Sequence, residues 1–279
     1  MTSAEIFDQI SHAFVSPPGN NLAAATTIGI PDNARALAQH QKYTDALKKC
    51  GVDVTTVAAD PAFALACLVG NMAIVTEYLA VIGNFSDLSP RQGEQKSIAS
   101  ALAGGKFLKF ITAPGLLDCD DVLRINNHFY VSLSNHTNQE GAAQAAFFLK
   151  EFGYDVTVLE QTPESFVRLG TAATYLGKNQ LLVREELSRH FSFLAFDKIT
   201  VPYRERGAAN ALMVNGTLLL PTGYAETYAA IKERGIPVIE VNVSEFEKIG
   251  GGLKNLALYL PKTAKNGMVE LPQLKKSAA

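Results

Sequence analysis

Asp118, Asp120 and Asp121 crowd three carboxylates into four positions. Oxygen ligands that close suit a hard cation, and a carboxyl held at an unusual pKa suits proton transfer. The commoner reading of such a cluster is a solvated turn, so no metal is expected. Three cysteines, Cys50, Cys67 and Cys119, form no CxxC pair. A thiolate is a nucleophile where its surroundings lower its pKa, but free cysteines are more often simply buried. The histidines are His12, His40, His128, His136 and His190. No two stand at ligand spacing, which argues against zinc. Gly250-Gly251-Gly252 precede Lys254, yet Asn255 follows and no helical pattern does. That run reads as a loop, not a phosphate cradle. GxGxxG, HExxH and GxSxG are absent. No cofactor is expected.

The 279 residues are 47% hydrophobic and 19% charged, too apolar for disorder. A formal net charge of −2 lacks the basic excess of a phosphate-tracking protein, so no nucleic acid is expected. No apolar run approaches the roughly 20 residues of a membrane helix. The opening MTSAEIFDQISHAF has no continuous apolar segment, so neither a secretory signal nor a membrane partner is expected. Sparse unpaired cysteines fit a reduced, cytoplasmic chain. At about 150 residues per domain the length would suggest two, but a single repetitive or barrel-like domain of this size is equally allowed. No linker marks a boundary, so a single domain over 1–279 is expected.

The elements that must position these groups recur with a rhythm. A helix is predicted over 33–50, with Ala36, Leu37, His40, Tyr43, Ala46 and Leu47 at 3–4 spacing. Gly51 stops it. Strands are predicted over 13–15 and 53–58 on either side. The next unit has strands over 66–69, 72–76 and 79–82, a helix over 90–102 capped by Ser89, and a strand over 106–111. The third pairs 121–125 with 128–133 through Asn126-Asn127, then a helix over 138–152 and a strand over 155–159. The fourth pairs 171–176 with 180–183, then a helix over 184–189 and a strand over 198–201. In the fifth, 211–214 and 217–221 flank Asn215-Gly216, a strong hairpin signal. A helix over 225–234 and a strand over 238–241 follow, and a last strand over 256–260 can return to the first unit. Five strand–strand–helix–strand units argue for a radial α/β arrangement whose central channel is a natural ligand site. The units span about 5–60, 61–115, 116–160, 161–203 and 204–262, with a tail over 263–279.

Several segments resemble one family. They are Gln39-His40 with Tyr43 and Leu47; Ser134 with Thr137-Asn138; Thr174-Tyr175-Leu176-Gly177; Ala208-Ala209-Asn210 with Val214-Asn215-Gly216; and Val243-Ser244-Glu245-Phe246 with Gly251-Gly252-Leu253. In this order they resemble dimethylarginine dimethylaminohydrolase, of the guanidine-modifying pentein superfamily. The likeness runs from about Ala13 to Pro261. It implies a five-bladed α/β propeller of ββαβ units around a central channel.

The resemblance also implies a chemistry: a cysteine thiolate attacks a guanidinium carbon, a histidine moves protons, and carboxylates grip the cation. At the cysteine position this chain has Asn255, at the histidine position Arg168, and at one carboxylate position Asn71. Asp121 keeps an acidic position, and His136 stands in the place of an arginine. A carboxamide cannot act as a thiolate, and arginine is a poor general base. The changed positions remain polar. The expected function is therefore a divergent enzyme acting on a polar small molecule by non-covalent acid–base chemistry: isomerisation, cyclisation, elimination or hydrolysis. Asp121 and His136 would move protons, and Asn71, Arg168 and Asn255 would bind the substrate. One alternative is a catalytically inactive binding or regulatory protein. Another is a guanidine hydrolase with a relocated nucleophile, Cys119 or Cys67. On strand alternation, those thiols would share a side with Asp121 and Asn71 respectively. A monomer or homodimer is expected.

Overall fold

The computed structural model describes residues 9–25, 27–160 and 167–262. The first eight residues of the opening segment and the expected tail over 263–279 lie outside the described residues. The chain runs through β1 (Ile10–Val15), α1 (Asn33–Lys49) and β2 (Asp53–Thr56). A second unit has β3 (Ala73–Val75), β4 (Leu79–Ile82), α2 (Gln95–Leu102) and β5 (Phe107–Phe110). A third has β6 (Val122–Ile125), β7 (His128–Ser132), α3 (Gln139–Glu151) and β8 (Asp155–Leu159). The fourth starts with a single turn, α4 (Leu169–Ala172), before β9 (Ala173–Gly177), β10 (Gln180–Arg184), α5 (Glu185–Ser188) and β11 (Asp197–Val201). The fifth has β12 (Leu212–Val214), β13 (Thr217–Pro221), α6 (Ala225–Glu233) and β14 (Val238–Val241). The turn α7 (Ser244–Glu247) and β15 (Ala257–Pro261) follow.

These strands make five three-stranded sheets, ordered β15-β1-β2, β3-β4-β5, β6-β7-β8, β9-β10-β11 and β12-β13-β14. In each, the middle strand pairs antiparallel with the first and parallel with the third. The antiparallel partners β12 and β13 meet through Asn215 (φ 47°) and Gly216 (φ 85°), the left-handed pair that a two-residue hairpin demands. A parallel partner needs a longer crossover, which α1, α2, α3, α5 and α6 supply. Middle strands β4 and β13 are covered on both faces and read as continuous apolar runs: Leu79–Ile82 and Leu218 to Leu220 are buried throughout. β15 returns to the start, with Ala13 opposite Tyr259 and Val15 opposite Ala257.

Helix α1 is capped by the Asp32 carboxylate, which accepts from the Arg35 amide at 2.9 Å. Its buried face, including Ala36, Tyr43 and Leu47, packs with Ala13, Val15, Val241 and Phe246. The apolar core is divided into five such wedges between neighbouring sheets and helices. Among the described residues, no helix is long and apolar enough to cross a membrane.

The structure corrects four local expectations. Residues 66–69 form no strand, because short-range bonds such as Leu68 N to Leu65 O, 2.8 Å, consume the backbone groups. The apolar run there reports burial rather than extension. Helix α2 starts at Gln95, not at 90, and Ser89 does not cap it. Gly93 is left-handed (φ 94°), and Arg91 and Glu94 form a buried ion pair at 2.7 Å that fixes a separate turn. Residues 169–172 are helical before β9 begins. Finally, Cys119–Asp121 and Val69–Asn71 are single 3-10 turns, so strand alternation does not govern how those side chains point.

Candidate functional site

The three aspartates sit on the turn that launches β6. Asp118 caps it, its carboxylate accepting from the Asp120 amide at 3.0 Å. Arg168, just before α4, reaches back across the fold to all three. Its Nη2 lies 2.6 Å from Asp118 Oδ2, and its Nε lies 3.3 Å from both Asp120 Oδ2 and Asp121 Oδ1. Close approach here needs glycine at 170, where a Cβ would stand 2.5 Å from the Asp120 carboxylate and 2.6 Å from its carbonyl oxygen.

One guanidinium faces three buried carboxylates. Burial raises the carboxyls of Asp120 and Asp121 above their ordinary range, against the lowering pull of Arg168. Burial also opposes charge on Arg168, but the three carboxylates outweigh it and hold the guanidinium charged. Asp121 is fully buried and its second oxygen is satisfied as well. Oδ2 accepts from Ser134 Oγ at 2.6 Å and Thr137 Oγ1 at 2.7 Å.

Asn255 ends the 3-10 turn Leu253–Asn255. Its Nδ2 donates to Asn71 Oδ1 and to Asp120 Oδ1, both at 2.8 Å, and its Oδ1 accepts from Asn210 Nδ2 at 3.0 Å. The amide is thereby fixed on three sides. Gly252 makes room for this, since a Cβ there would meet Asn210 Nδ2 at 2.1 Å.

The expected site residues thus fall into one connected cluster and one outlier. Asn71, Asp121, Arg168 and Asn255 meet around Asp118 and Asp120. His136 does not join them through its ring. Its imidazole is exposed, and only its backbone amide reaches the network, donating to Ser134 Oγ at 2.9 Å. Cys119 is buried against that network, and burial, then the neighbouring aspartates, push its thiol well above the ordinary range. Burial pushes Cys67 up to about 12. Neither thiol is a ready thiolate at neutral pH.

A cavity of about 850 Å³ runs through the centre of the fold. The first strand of each sheet lines it, at Ala73, Val122, Thr174, Leu212 and Ala257. Its floor is Gly70, Asp120, Gly170, Lys254 and Asn255, and exposed hairpin residues such as Lys178 and Gly216 stand at its mouth. Asp121, Arg168, Asn71 and His136 do not line it.

Two participants escape a reading of the sequence. Asn210 stands only as part of a scaffold motif there, yet it holds Asn255 and accepts from the Lys254 amide at 3.2 Å. Lys254 looks like an ordinary loop lysine. Its Nζ instead donates to Ala173 O at 2.6 Å, and burial lowers its pKa to about 7 against the opposing pull of Asp120. Gly70 packs on this loop, where a Cβ would stand 2.3 Å from the Lys254 carbonyl oxygen.

No family profile matches the chain. It is, however, 34% identical over 253 residues to the N(G),N(G)-dimethylarginine dimethylaminohydrolase of Pseudomonas aeruginosa, covering 88% of this chain and 98% of that one. The chain belongs to the dimethylarginine dimethylaminohydrolase family. The Streptomyces coelicolor dimethylarginine dimethylaminohydrolase is 26% identical over 232 residues, which is 82% of this chain and 87% of that one. A crystal structure of dimethylarginine dimethylaminohydrolase as an adduct with S-methyl-L-thiocitrulline superposes with a TM-score of 0.86 at 32% identity, covering 90% of this chain and all of the other. The N-terminal domain of a cyanobacterial arginine dihydrolase shares the fold, with a TM-score of 0.77 at 20% identity over 90% of this chain and 98% of that domain. The five small sheets are thus those of a pentein α/β propeller.

Proposed function

We propose that this member of the dimethylarginine dimethylaminohydrolase family acts on a polar small molecule in its central channel by acid–base chemistry, without a thiol nucleophile. The observation that carries the reading is the Asn255 side chain. It sits at the channel floor, where the family resemblance calls for the cysteine, and is tied to Asn71, Asp120 and Asn210. Asp120 and Asp121 supply carboxyl groups whose pKa values burial raises, against the lowering pull of Arg168. Arg168 balances their charge, and Asn71 and Asn255 orient polar groups. Among these side chains, Asp120 and Asn255 reach the cavity itself. The exposed His136 gains less support as the partner of Asp121, because its ring stands outside the network.

A relocated thiol finds no support in the buried Cys119 and Cys67. A second reading, a catalytically inactive binding protein, is favoured by one feature. The carboxylates that would hold a guanidinium already hold the protein's own, that of Arg168. The two readings separate in a screen of polar small molecules against protein whose thiols have been blocked with iodoacetamide, followed by NMR. Turnover that persists in blocked protein and is lost in Asp120→Asn supports the acid–base reading. Turnover abolished by the block would overturn it. Ligand-induced thermal stabilisation without any product would favour the binding reading.

A further inference from the structure

Lys254 is the reactive group at the channel floor that the acid–base reading leaves unused. Its Nζ donates to the Ala173 carbonyl at 2.6 Å, and the residue is among those lining the 850 Å³ cavity. Burial is the main influence on its charge, Asp120 favours the charged form and Arg184 opposes it. With its pKa lowered to about 7, much of the amine is neutral near neutral pH. A surface lysine presents about one neutral amine in 2,500 at that pH. A neutral amine is the form that attacks carbonyl carbon.

The cavity also has a sign. Arg124, Lys178, Arg234 and Lys254 line it, while Asp120 is the one acid on its wall among the described residues. Glu77, 3.1 Å from Arg124, and Asp197, paired with Arg234, weaken this excess but stand off the lining, so even with Lys254 neutral the wall carries Arg124, Lys178 and Arg234 against Asp120. Such a channel concentrates small anions.

We propose that the channel captures a small carbonyl compound bearing a carboxylate, a 2-oxo acid, as an imine on Lys254. This deepens the reading of the channel as the substrate site and rests on it. The neutral Nζ attacks the carbonyl carbon, a C–N bond forms, and the C=O π pair moves to oxygen, which takes up a proton. The nitrogen loses one proton to give the carbinolamine; its lone pair then forms the second C–N bond as the C–O bond breaks and the protonated hydroxyl leaves as water, and the iminium gives up its remaining proton. The balance is amine plus carbonyl giving imine plus one water, with no oxidant or reductant. Asp120, whose carboxyl is raised by burial, stands on the same floor to give a proton to the departing oxygen and receive one from nitrogen.

The test is reductive trapping in the full-length protein. Pyruvate and sodium cyanoborohydride are added, and the modified lysines are mapped by peptide mass spectrometry. Lys254 is expected to label at least about tenfold faster than any other lysine at pH 7, an advantage smaller than its neutral fraction implies because weaker bases are weaker nucleophiles. Its labelling rate should reach half its maximum near pH 7, whereas the other lysines keep gaining into the alkaline range. Lys254→Arg should remove the fast phase while the melting temperature reports on folding. Slow or absent labelling at Lys254 in wild-type protein, with other lysines modified, would overturn the imine. Equal rates with methyl pyruvate, which keeps the 2-oxo group and loses only the charge, would overturn the carboxylate preference. Failure here together with turnover by thiol-blocked protein would sink the imine and leave the acid–base reading standing. Failure here with no turnover at all would count against both.

Discussion

Arg168 Nη2 lies 2.6 Å from Asp118 Oδ2, a contact that brings the start of the fourth unit onto the turn before the third sheet. The same guanidinium touches Asp120 and Asp121, so a single cation organises three buried acids.

Removing that cation should be costly. Arg168→Met leaves buried carboxylates unpaired and should lower the free energy of unfolding by about 3 kcal/mol at pH 7. The folded-state pKa values of Asp120 and Asp121 are already raised, so their contribution to stability is present below the unfolded pKa and lost as pH rises through the folded one. The variant raises them further. Its deficit relative to wild type should therefore shrink as the pH falls toward about 4. Urea unfolding at several pH values measures this, and a pH-independent deficit would contradict it.

Asn255 makes a second prediction. Asn255→Leu strands Asp120 Oδ1, Asn71 Oδ1 and Asn210 Nδ2, and each orphaned buried group costs about 1–3 kcal/mol. Asn255→Asp should be worse at neutral pH, since it sets a fourth carboxylate against Asp120, and should recover in acid. Thermal melts of the two variants at neutral and acidic pH test the contrast. Asn255→Leu should show no comparable recovery.

The Lys254 amine should leave a mark on stability as well. Its folded pKa of about 7 lies below the unfolded value, so the unfolded chain binds more protons between these limits. The contribution is complete above the unfolded pKa and is lost as pH falls through 7. Wild type should thus gain stability relative to Lys254→Met as the pH is raised from 7 toward about 10. Parallel unfolding curves at both pH values would refute the lowered pKa.

The sequence makes the frame readable where local chemistry decides it. Asn215-Gly216 demands left-handed backbone angles, and the 3–4 spacing of Ala36, Tyr43 and Leu47 demands one buried helical face. It misleads where tertiary contacts decide, as at 90–94, where the buried Arg91–Glu94 pair holds a turn. The family resemblance groups Asn71, Asp121, Arg168 and Asn255 as expected site residues, and these four side chains do meet around Asp118 and Asp120. The wiring of that cluster is not legible in the sequence. Arg168 and Asp121 stand 47 residues apart, and only the packing of α4 on the aspartate turn brings them together. Lys254 is missed because nothing in a glycine-rich loop announces burial.

Thiol chemistry offers a fourth prediction. With burial raising Cys119 well above its ordinary range and Cys67 to about 12, both should react with a disulfide reagent in native protein far more slowly than in urea, by at least about 100-fold. Fast native reaction at either residue would revive a relocated nucleophile.

The most direct test of the central claim is citrulline release. Purified protein incubated with N(G),N(G)-dimethylarginine or arginine, with and without iodoacetamide treatment, should release no citrulline above the protein-free control. Citrulline formation that disappears after iodoacetamide, or in Cys119→Ala or Cys67→Ala, would contradict the account.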